Sequence, residues 1–422
     1  MKTIVFLPAT WNLAETTRTI QVAKACRQEF RVSFAGYGGP FERLIEEEGF
    51  PLTRLSPRLS KTKIEYMYKV DQGEAIGTFF SLEETRQRIE NEIKYLKEVR
   101  PVAAVTGFNV TSPVSCQAAK TPLVWLTQST WDFNTIMDRN LGSYIDDLDL
   151  PLLRWLPEAA LKWLTKRLST LIARIALRPL NAVAKEYGLE PFAEIQDLWN
   201  RFFNLMAEPD DFSGLQDVPS RSRYIGPLIA DLNVPVPEHI QEFRKMDQPL
   251  VYFAMGSSGR PRLIKNILEG FGGQPFQVVS PMKSKVQDMH VDVPDNVLLT
   301  DWLPALEVSR LTDISVIHGG IGTVMTAALA GKPVVGVGMM PEQEYNIECL
   351  VRKGFAIRIR RRRVSAKTIN EAIMKMLANK EAKRKAVEYS KEMEKWMKNR
   401  DEMIRSFFLS MSEHNAGNRA AP

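Results

Sequence analysis

A glycine-rich turn in the C-terminal half of the chain carries the residue types best suited to bind an anion. The segment His318-Gly-Gly-Ile-Gly-Thr323 follows an apolar run of strand type, Asp313-Ile-Ser-Val-Ile, and precedes a stretch of helical composition that ends at Gly331. The glycines permit a tight turn, and the first N–H groups of a helix have no partner within it. Together with the helix dipole, these groups favour a diphosphate at the helix start. The donors expected there are the imidazole of His318 and the amides of Gly320, Gly322 and Thr323.

Three further segments surround this turn. Val251-Tyr-Phe-Ala-Met-Gly-Ser257 indicates a strand that ends in a polar turn, and Pro294-Asp-Asn-Val-Leu-Leu-Thr-Asp-Trp302-Leu-Pro304 ends in a Trp-x-Pro element. Pro341-Glu-Gln-Glu-Tyr-Asn346 follows a second apolar run. From about residue 250 to 357, this order resembles the donor-binding region of the inverting GT-B glycosyltransferases. That superfamily includes the UDP-glucuronosyltransferases, plant secondary-metabolite glucosyltransferases, bacterial macrolide-type transferases and the lipid-II N-acetylglucosamine transferase.

The resemblance implies both a fold and a reaction. The fold would be α/β of the GT-B type, with two Rossmann-like domains facing across a cleft. The reaction would be an inverting, metal-independent transfer of a sugar from a UDP- or dTDP-sugar to an apolar or amphipathic acceptor, with no cofactor beyond this co-substrate. Fixed donors at the departing diphosphate would stabilise its developing charge. The implied donor contacts are Ser257, His318, Gly320, Gly322 and Thr323 at the diphosphate, Trp302 at the base, and Glu342 and Gln343 at the sugar.

Two departures from the family pattern leave the identity of the donor's nucleotide base undetermined. Family members often carry Gln after the Trp-x-Pro element, where this chain has Ala305, and plant members carry a ribose-binding Glu where Thr326 stands. Bacterial members commonly lack that Glu, so the choice between UDP and dTDP is not determined. Trp302 itself has an alternative interpretation, as an aromatic residue packed between the domains.

A dinucleotide fingerprint is the main alternative for the turn. Glu342 follows Gly320-x-Gly322 at about the distance of a ribose-binding acid. However, Met325 occupies the third glycine position, and the turn lies deep in the chain rather than after a first strand. We therefore expect no NAD site.

The base that would deprotonate the acceptor differs from the family pattern. Members usually place a catalytic His after strand one and an orienting Asp after a later strand, yet the first histidine of this chain is His239. Ungapped alignment puts Glu15 at the His position and Gly107 at the Asp position. We expect Glu15 to act as the general base, since a carboxylate needs no partner to set its tautomer. The alternative is a helix-capping acid, and Asp132 is the reserve candidate.

The elements that must position these residues alternate as in parallel sheets. Apolar runs after residues 3, 31, 102 and 122 predict strands of an N-terminal acceptor-binding domain over residues 1–230, with a helical insertion at about 136–207. A proline-rich linker is expected at 231–249, and the nucleotide-sugar domain at 250–388. The helix at about 389–408 would return to complete the N-terminal domain, although a solvated helix is the alternative.

Within the insertion, apolar and basic residues recur at helical spacing. The apolar positions are Leu156, Ala160, Leu164, Leu168, Leu171 and Ile175. The basic positions are Arg154, Lys162, Lys166, Arg167, Arg174 and Arg178. The pattern predicts either a helix that packs its apolar stripe on the N-terminal sheet or one that contacts a membrane surface and a lipid-like acceptor.

Composition limits the class of protein. The chain has 422 residues, of which 44% are hydrophobic and 25% charged, enough for two domains with full cores. A net charge of +6 suits anionic small molecules or acidic lipids and is too modest to indicate nucleic acid. Three widely spaced cysteines indicate neither disulfides nor a zinc site. We expect a cytoplasmic protein, with peripheral membrane contact as a variant.

Two functions from other classes remain compatible with the sequence. A non-catalytic partner protein could keep the nucleotide pocket and lack the base. A sugar-nucleotide epimerase of the GT-B fold would need acids around the donor sugar rather than an acceptor pocket.

Overall fold

A computed structural model gives the arrangement of these elements. It describes residues 1–71, 75, 77–131, 156–215, 218–230, 235–244, 247–256 and 258–419. None of the helices in these ranges has the length and hydrophobicity needed to cross a membrane.

The N-terminal half forms a parallel sheet that, over the described ranges, has seven strands in the order β3-β2-β1-β4-β5-β6-β7. Buried aliphatic and aromatic residues fill its inner strands, as expected for a sheet covered on both faces. The strands are β1 (Thr3–Phe6), β2 (Arg31–Gly36), β3 (Leu52–Arg54), β4 (Ala103–Thr106), β5 (Leu123–Thr127), β6 (Phe203–Met206) and β7 (Ser222–Tyr224).

Helices connect these strands across both faces. Side-chain caps mark where several of them begin: Asn12 accepts a hydrogen bond from the Glu15 amide at the start of α1, and Ser81 and Glu84 form a capping box at the start of α4. The helices are α1 (Leu13–Cys26), α2 (Glu42–Glu47), α3 (Lys61–Asp71), α4 (Leu82–Val99), α5 (Ser112–Ala118), α6 (Glu158–Glu186) and α7 (Asp197–Asn200). A 3-10 turn at Ser129–Trp131 follows β5.

The second sheet lies in the C-terminal half and is also parallel, with the described order β10-β9-β8-β11-β12-β13. Its strands are β8 (Leu250–Ala254), β9 (Gln277–Ser280), β10 (Val297–Leu299), β11 (Ile314–Ile317), β12 (Val334–Gly336) and β13 (Ala356–Arg358). Its helices are α8 (Glu238–Arg244), α9 (Pro261–Glu269), α10 (Lys283–Val286), α11 (Ala305–Leu311), α12 (Ile321–Ala330), α13 (Pro341–Lys353), α14 (Ala366–Ala378) and α15 (Lys380–Arg419). The predicted α/β fold with two Rossmann-like sheets is confirmed, and in each sheet the order reverses beside the first strand, where such folds bind ligands.

The long helix α15 packs against both halves of the molecule. Ala386 and Tyr389 lie in the core of the second sheet. Farther along the helix, Ile404 and Phe408 lie in the core of the first sheet. The helix therefore buries apolar surface on both domains and is not the purely solvated element that was the alternative.

Two segments differ from the sequence expectation. The predicted helical insertion at 136–207 ends in β6, because Phe203–Met206 pairs with β5 as a buried strand. The predicted linker contains α8, whose Ile240 packs in an apolar cluster with Leu250 of β8. In both cases tertiary burial determined the local structure.

The amphipathic helix α6 buries a different stripe from the predicted one. Ala173, Leu177, Leu180 and Val183 are buried, the last three in the core on one face of the first sheet. The predicted apolar positions Leu164, Leu168, Leu171 and Ile175 are exposed, and Trp163 is 61% exposed. The expectation that this stripe packs on the sheet is therefore wrong.

Candidate active site

His318 lies where β11 ends, enclosed between two glycines. A Cβ on Gly256 would lie 2.3 Å from its Cε1 atom, and a Cβ on Gly320 would lie 2.6 Å from its Nε2 atom. Between them, Gly319 adopts a φ of 87° that side chains rarely tolerate, and its Cβ would meet the Gln343 carbonyl at 2.4 Å. The glycines are therefore required by the close approach of the imidazole and of the next helix.

The imidazole of His318 is held neutral. Burial lowers its pKa to about 4, and a hydrogen bond to the Ala254 carbonyl only partly opposes that shift. Its Nδ1 atom has no hydrogen-bond partner among the described residues. A neutral imidazole has a single N–H, so His318 can donate to a diphosphate oxygen only when that N–H is turned over from the Ala254 carbonyl.

The helix α12 begins directly beside this imidazole. Gly320 is its N-cap residue and provides no side-chain cap, while the Thr323 hydroxyl donates to the Gly320 carbonyl at 2.8 Å. A Cβ on Gly322 would meet no atom within 4 Å, so open space lies in front of that residue. An uncapped helix start with adjoining space has the chemistry of an anion site.

The helix α13 fixes the turn from behind. The Asn346 amide donates to the Gly319 carbonyl at 3.0 Å, and the Asn346 carbonyl accepts from the Thr130 hydroxyl of the N-terminal domain at 2.6 Å. Gln343 is buried with both ends in use: its carbonyl accepts from the Met339 amide, and its amide donates to the Ser258 hydroxyl, each at 3.0 Å. The sugar contact expected of Gln343 stays a prediction, and each end of the amide can form a second hydrogen bond without breaking these two.

Glu342 faces the N-terminal domain across the cleft. Its carboxylate accepts a hydrogen bond from Gln128 at 3.0 Å. Burial raises its pKa to about 7; the Gln128 bond and Arg18 oppose the rise, and Asp71 adds to it. The predicted sugar-binding acid therefore lies at the point where the two domains meet.

Trp302 lies just before α11 and is 50% exposed. The next residue, Leu303, is buried in an apolar cluster with Val279 and Val308. The alternative of a Trp302 packed between the domains is therefore wrong for this conformation, and the indole is available for stacking.

Glu15 and Gly107, the two positions aligned with the family's dyad, are in contact. The Gly107 amide donates to the Glu15 carboxylate at 2.7 Å, and a Cβ on Gly107 would lie 2.1 Å from Glu15 Oε2. Burial raises the pKa of Glu15, and Arg18, one turn further along α1, is the largest opposing influence. The other groups that oppose the rise are the backbone amides of Gly107, Ala9 and Phe108.

Helix capping does not account for the position of Glu15. The start of α1 is capped by Asn12, and the Glu15 side chain instead joins α1 to the loop after β4. Glu15 nevertheless lies in the first turn of α1, where its charge favours the helix dipole, so that part of the alternative holds. Asp132 and Ser257 lie outside the described residues, and their roles stay predictions.

Arg18 lies near enough to both Glu15 and Glu342 to act on them electrostatically, and it was missed by the sequence reasoning. Burial lowers its pKa, and Glu15 and Glu342 both oppose that shift. Arg18 follows Glu15 by three residues on a predicted helix, and this spacing indicates that the two side chains lie on the same face. Gln128 was missed as well, although it precedes Asp132 after the same strand.

An aromatic pocket adjoins Glu15 in the N-terminal domain. The rings of Trp11, Phe79, Phe80 and Phe108 line it, and Arg88 contributes a buried guanidinium. Ala9 and Phe108 border this pocket, and their backbone amides also act on the Glu15 carboxylate. The pocket therefore adjoins the candidate base.

Comparison with known proteins finds similarity to glycosyltransferases. Residues 267–399 match the family model described as "Erythromycin biosynthesis protein CIII-like, C-terminal domain". The chain is 24% identical over 389 residues to the PGL/p-HBAD biosynthesis glycosyltransferase of Mycobacterium tuberculosis, covering 91% of this chain and 86% of that protein. It is also 24% identical over 320 residues to the PGL/p-HBAD biosynthesis rhamnosyltransferase of Mycobacterium bovis, covering 74% and 68%.

Solved structures share the complete architecture. The crystal structure of the glycosyltransferase VinC in complex with dTDP superposes with a TM-score of 0.65 at 14% identity, covering 97% of this chain and 100% of that one. At this identity the similarity shows the fold, which is the two-domain arrangement described above.

Proposed function

Because the chain is a glycosyltransferase with the GT-B fold, we propose that it transfers a sugar, with inversion and without a metal ion, from a UDP- or dTDP-sugar to a hydroxyl of an apolar or amphipathic acceptor. The observation that carries this proposal is that the two carboxylates are held by neighbouring loops: Glu15 accepts from the Gly107 amide after β4, and Glu342 accepts from Gln128 after the adjacent strand β5. Arg18 acts electrostatically on both carboxylates. The candidate base and the candidate sugar-binding acid therefore flank the same space.

The leaving group is stabilised from the C-terminal domain. As the bond from the anomeric carbon to the diphosphate oxygen breaks, the oxygen takes the electron pair and gains negative charge. We assign His318 and the amides at the start of α12 to that charge, because the helix start has no side-chain cap and the imidazole lies directly beside Gly320. Because the amides are already oriented, they stabilise it without reorganisation.

The acceptor is activated from the N-terminal domain. Its hydroxyl proton passes to the Glu15 carboxylate while its oxygen attacks the anomeric carbon on the face opposite the diphosphate. The products are the glycoside with inverted configuration, the nucleoside diphosphate and one proton, which leaves Glu15 for solvent. The raised pKa of Glu15 suits a group that must hold this proton during the transition state.

Two of the similar proteins suggest which nucleotide the donor carries, and the cysteines suggest the compartment. The dTDP in the VinC complex and the rhamnosyltransferase named among the relatives support testing dTDP-sugars beside UDP-sugars. Cys26, Cys116 and Cys349 are buried and unpaired, which supports action in a reducing cytoplasm.

The test begins with calorimetric titration of UDP and dTDP, followed by incubation with nucleotide sugars and phenolic or lipid-like alcohols. We expect binding of at least one diphosphate, release of that diphosphate in the presence of acceptor, and inverted anomeric configuration by NMR. A retained configuration would overturn the inverting mechanism. Diphosphate binding with no consumption of donor would support the non-catalytic partner, and free epimerised donor would support the epimerase.

We also propose that α6 contacts an anionic membrane surface, from which a lipid-like acceptor would be taken. Leu171 is 55% exposed and Ile175 47% exposed, and the basic residues Arg167, Arg174 and Arg178 are exposed on the same helix. Apolar and cationic side chains on one exposed helix match the interface of an acidic bilayer.

Co-sedimentation with phosphatidylcholine vesicles, with and without phosphatidylserine, tests this contact. We expect binding to the acidic vesicles at low salt and its loss in the double variant Leu171→Ser, Ile175→Ser. Val387→Ser on α15 is the matched control, because it removes a similarly exposed aliphatic side chain elsewhere. Equal co-sedimentation with neutral and acidic vesicles would contradict the proposal. Absence of co-sedimentation with either kind of vesicle would also contradict it.

A further inference from the structure

The buried Arg88 of α4 is a charged group that the proposed reaction does not use. It is 4% exposed, and its guanidinium lies 3.4 Å from the Tyr37 ring centroid and 4.2 Å from that of Phe80. Its Nε and Nη1 atoms have no hydrogen-bond partner in the described part of the chain, and Nη2 makes only a long contact of 3.5 Å to the Asn109 carbonyl. Burying a guanidinium costs free energy when two of its donor nitrogens have no hydrogen-bond partner, unless a ligand binds those nitrogens.

The nearby carboxylate of Glu92 does not bind these two donor nitrogens of Arg88. Glu92 is fully buried, and its oxygens accept hydrogen bonds from the hydroxyls of Tyr37, Thr111 and Ser115 and from the amide of Asn109. Its charge acts on Arg88 electrostatically, but no ion pair joins the two side chains among the described contacts. The network around Glu92 therefore orients Tyr37 and Asn109 around the guanidinium and leaves Nε and Nη1 free.

The two donor nitrogens are shielded from water, and Arg88 borders an enclosed space. Arg88 lines the aromatic pocket together with Trp11, Phe80 and Phe108. The space between the lining side chains, including the mouth open to solvent, is about 340 Å³, at the lower end of small-molecule sites. The enclosed part is narrow, about 20 Å³ or room for about one water molecule, so a ring would enter by turning the lining aromatic side chains.

We propose that Arg88 binds a carboxylate of the acceptor, so that the acceptor class is a hydroxylated aromatic or flat apolar molecule with an acid group at the end remote from the reacting hydroxyl. This rests on the proposed function and specifies its acceptor. Planar guanidinium donors match a carboxylate, and the charge-assisted bonds are stronger than those to a neutral carbonyl. The aromatic walls take the ring, and Ala9 and Phe108, which border the pocket, also contribute backbone amides beside the Glu15 carboxylate.

The experiment compares three phenols of similar size: 3-(4-hydroxyphenyl)propionate, its methyl ester and 4-butylphenol. Binding is measured by calorimetry in the presence of the bound diphosphate, and transfer by diphosphate release. In the wild type, the carboxylate should have the lowest Kd and KM. Arg88→Met should raise both for the carboxylate by about 10- to 100-fold, the equivalent of about 1.4–2.7 kcal/mol, and change them for the ester and butylphenol by less than about threefold.

A matched control lies two residues away on the same helix. Arg86 is partly exposed and pairs with Glu83 and Glu186 at the surface, so Arg86→Met makes the same chemical change outside the pocket and should leave all three phenols unaffected. Arg88→Lys keeps the charge but not the planar donors, and it should retain only part of the preference for the carboxylate. Thermal midpoints report whether each variant folds.

The outcomes separate this inference from the proposed reaction. Transfer to the neutral phenols without preference for the carboxylate, or an equal loss for all three acceptors in Arg88→Met, would overturn the Arg88 assignment and leave the glycosyltransferase mechanism intact. Carboxylate binding that depends on Arg88, with no donor consumed, would keep the site and overturn the proposed reaction. Absence of binding by the carboxylate at millimolar concentration would also overturn the inference.

Discussion

Replacing Glu15 by Gln separates the catalytic interpretation of this residue from a structural one. The Gln carbonyl can still accept the hydrogen bond from the Gly107 amide, which is 2.7 Å long in the native protein. What the variant loses is the ability to take the acceptor's proton. General-base catalysis contributes about 10²–10⁴-fold, so the barrier should rise by about 3–5 kcal/mol while the Kd for the diphosphate is unchanged.

The substitution also affects folding, and the two effects must be distinguished. The second carboxylate oxygen becomes an NH2 group beside backbone N–H donors, so at least one charge-assisted bond is lost, a cost of about 1.5–3 kcal/mol in unfolding free energy. Glu42→Gln is the matched control. Glu42 is another buried carboxylate that accepts a backbone amide, that of Gly38 at 2.7 Å, and its variant should lose stability but keep kcat.

The assay measures kcat and KM for diphosphate release, with thermal midpoints taken at the same pH. We expect Glu15→Gln to lose at least about two decades of kcat and Glu42→Gln to keep its value within about threefold. If Glu15→Gln retains native kcat, the carboxylate only ties α1 to the loop after β4, and the mechanism needs another base.

His318→Ala should raise the Kd for the diphosphate and lower kcat, because the neutral imidazole and the helix start act on the same charge; unchanged calorimetric affinity together with unchanged rate would remove the donor-site assignment. Trp302→Ala should weaken nucleotide binding by about 10- to 100-fold, as loss of a stacked base does, with little change in thermal midpoint because the side chain is half exposed; equal Kd values would exclude stacking. Gly107→Ala should lower kcat by displacing the Glu15 carboxylate, since its Cβ would lie 2.1 Å from Oε2; a fully active variant would contradict the observed packing. The raised pKa of Glu342, about 7, favours the protonated carboxyl in the folded state, so its contribution to stability is present at low pH and is lost as pH rises through 7. Glu342→Gln should therefore raise the thermal midpoint more at pH 8 than at pH 5. An equal change at both pH values would contradict this prediction.

Much of the donor side was predictable because it depends on short-range patterns. The glycines around His318 mark a turn between a buried strand and a helix, and both elements have their own periodicity. Parallel strands end at one edge of a sheet, so residues that follow different strands come together there. The N-cap position of Gly320 follows from the same turn. The exposure of Trp302 does not, because the sequence left open whether that ring packs between the domains.

The acceptor side was less predictable because its contacts join distant parts of the chain. Gly107 and Glu15 are 92 residues apart, and only the alignment with the family suggested that they meet. The stripe of α6 that packs on the sheet was misjudged, because helical spacing shows that an apolar face exists but not which neighbour covers it. Residues 203–206 form a strand for a similar reason, since pairing with β5 outweighs local preference.

The sequence by itself determined the two parallel sheets, the glycine turn that begins α12 and the types of residue beside it, because hydrophobic period and backbone freedom act over a few residues. Only the tertiary structure decided that Arg18 acts electrostatically on both Glu15 and Glu342 and that Gln343 bonds to Met339 and Ser258. It also decided that Arg88 is buried beside an aromatic pocket, with two donor nitrogens that have no partner among the described residues. Burial and electrostatic coupling depend on which surfaces meet in space, and that information is not carried by spacing along the chain.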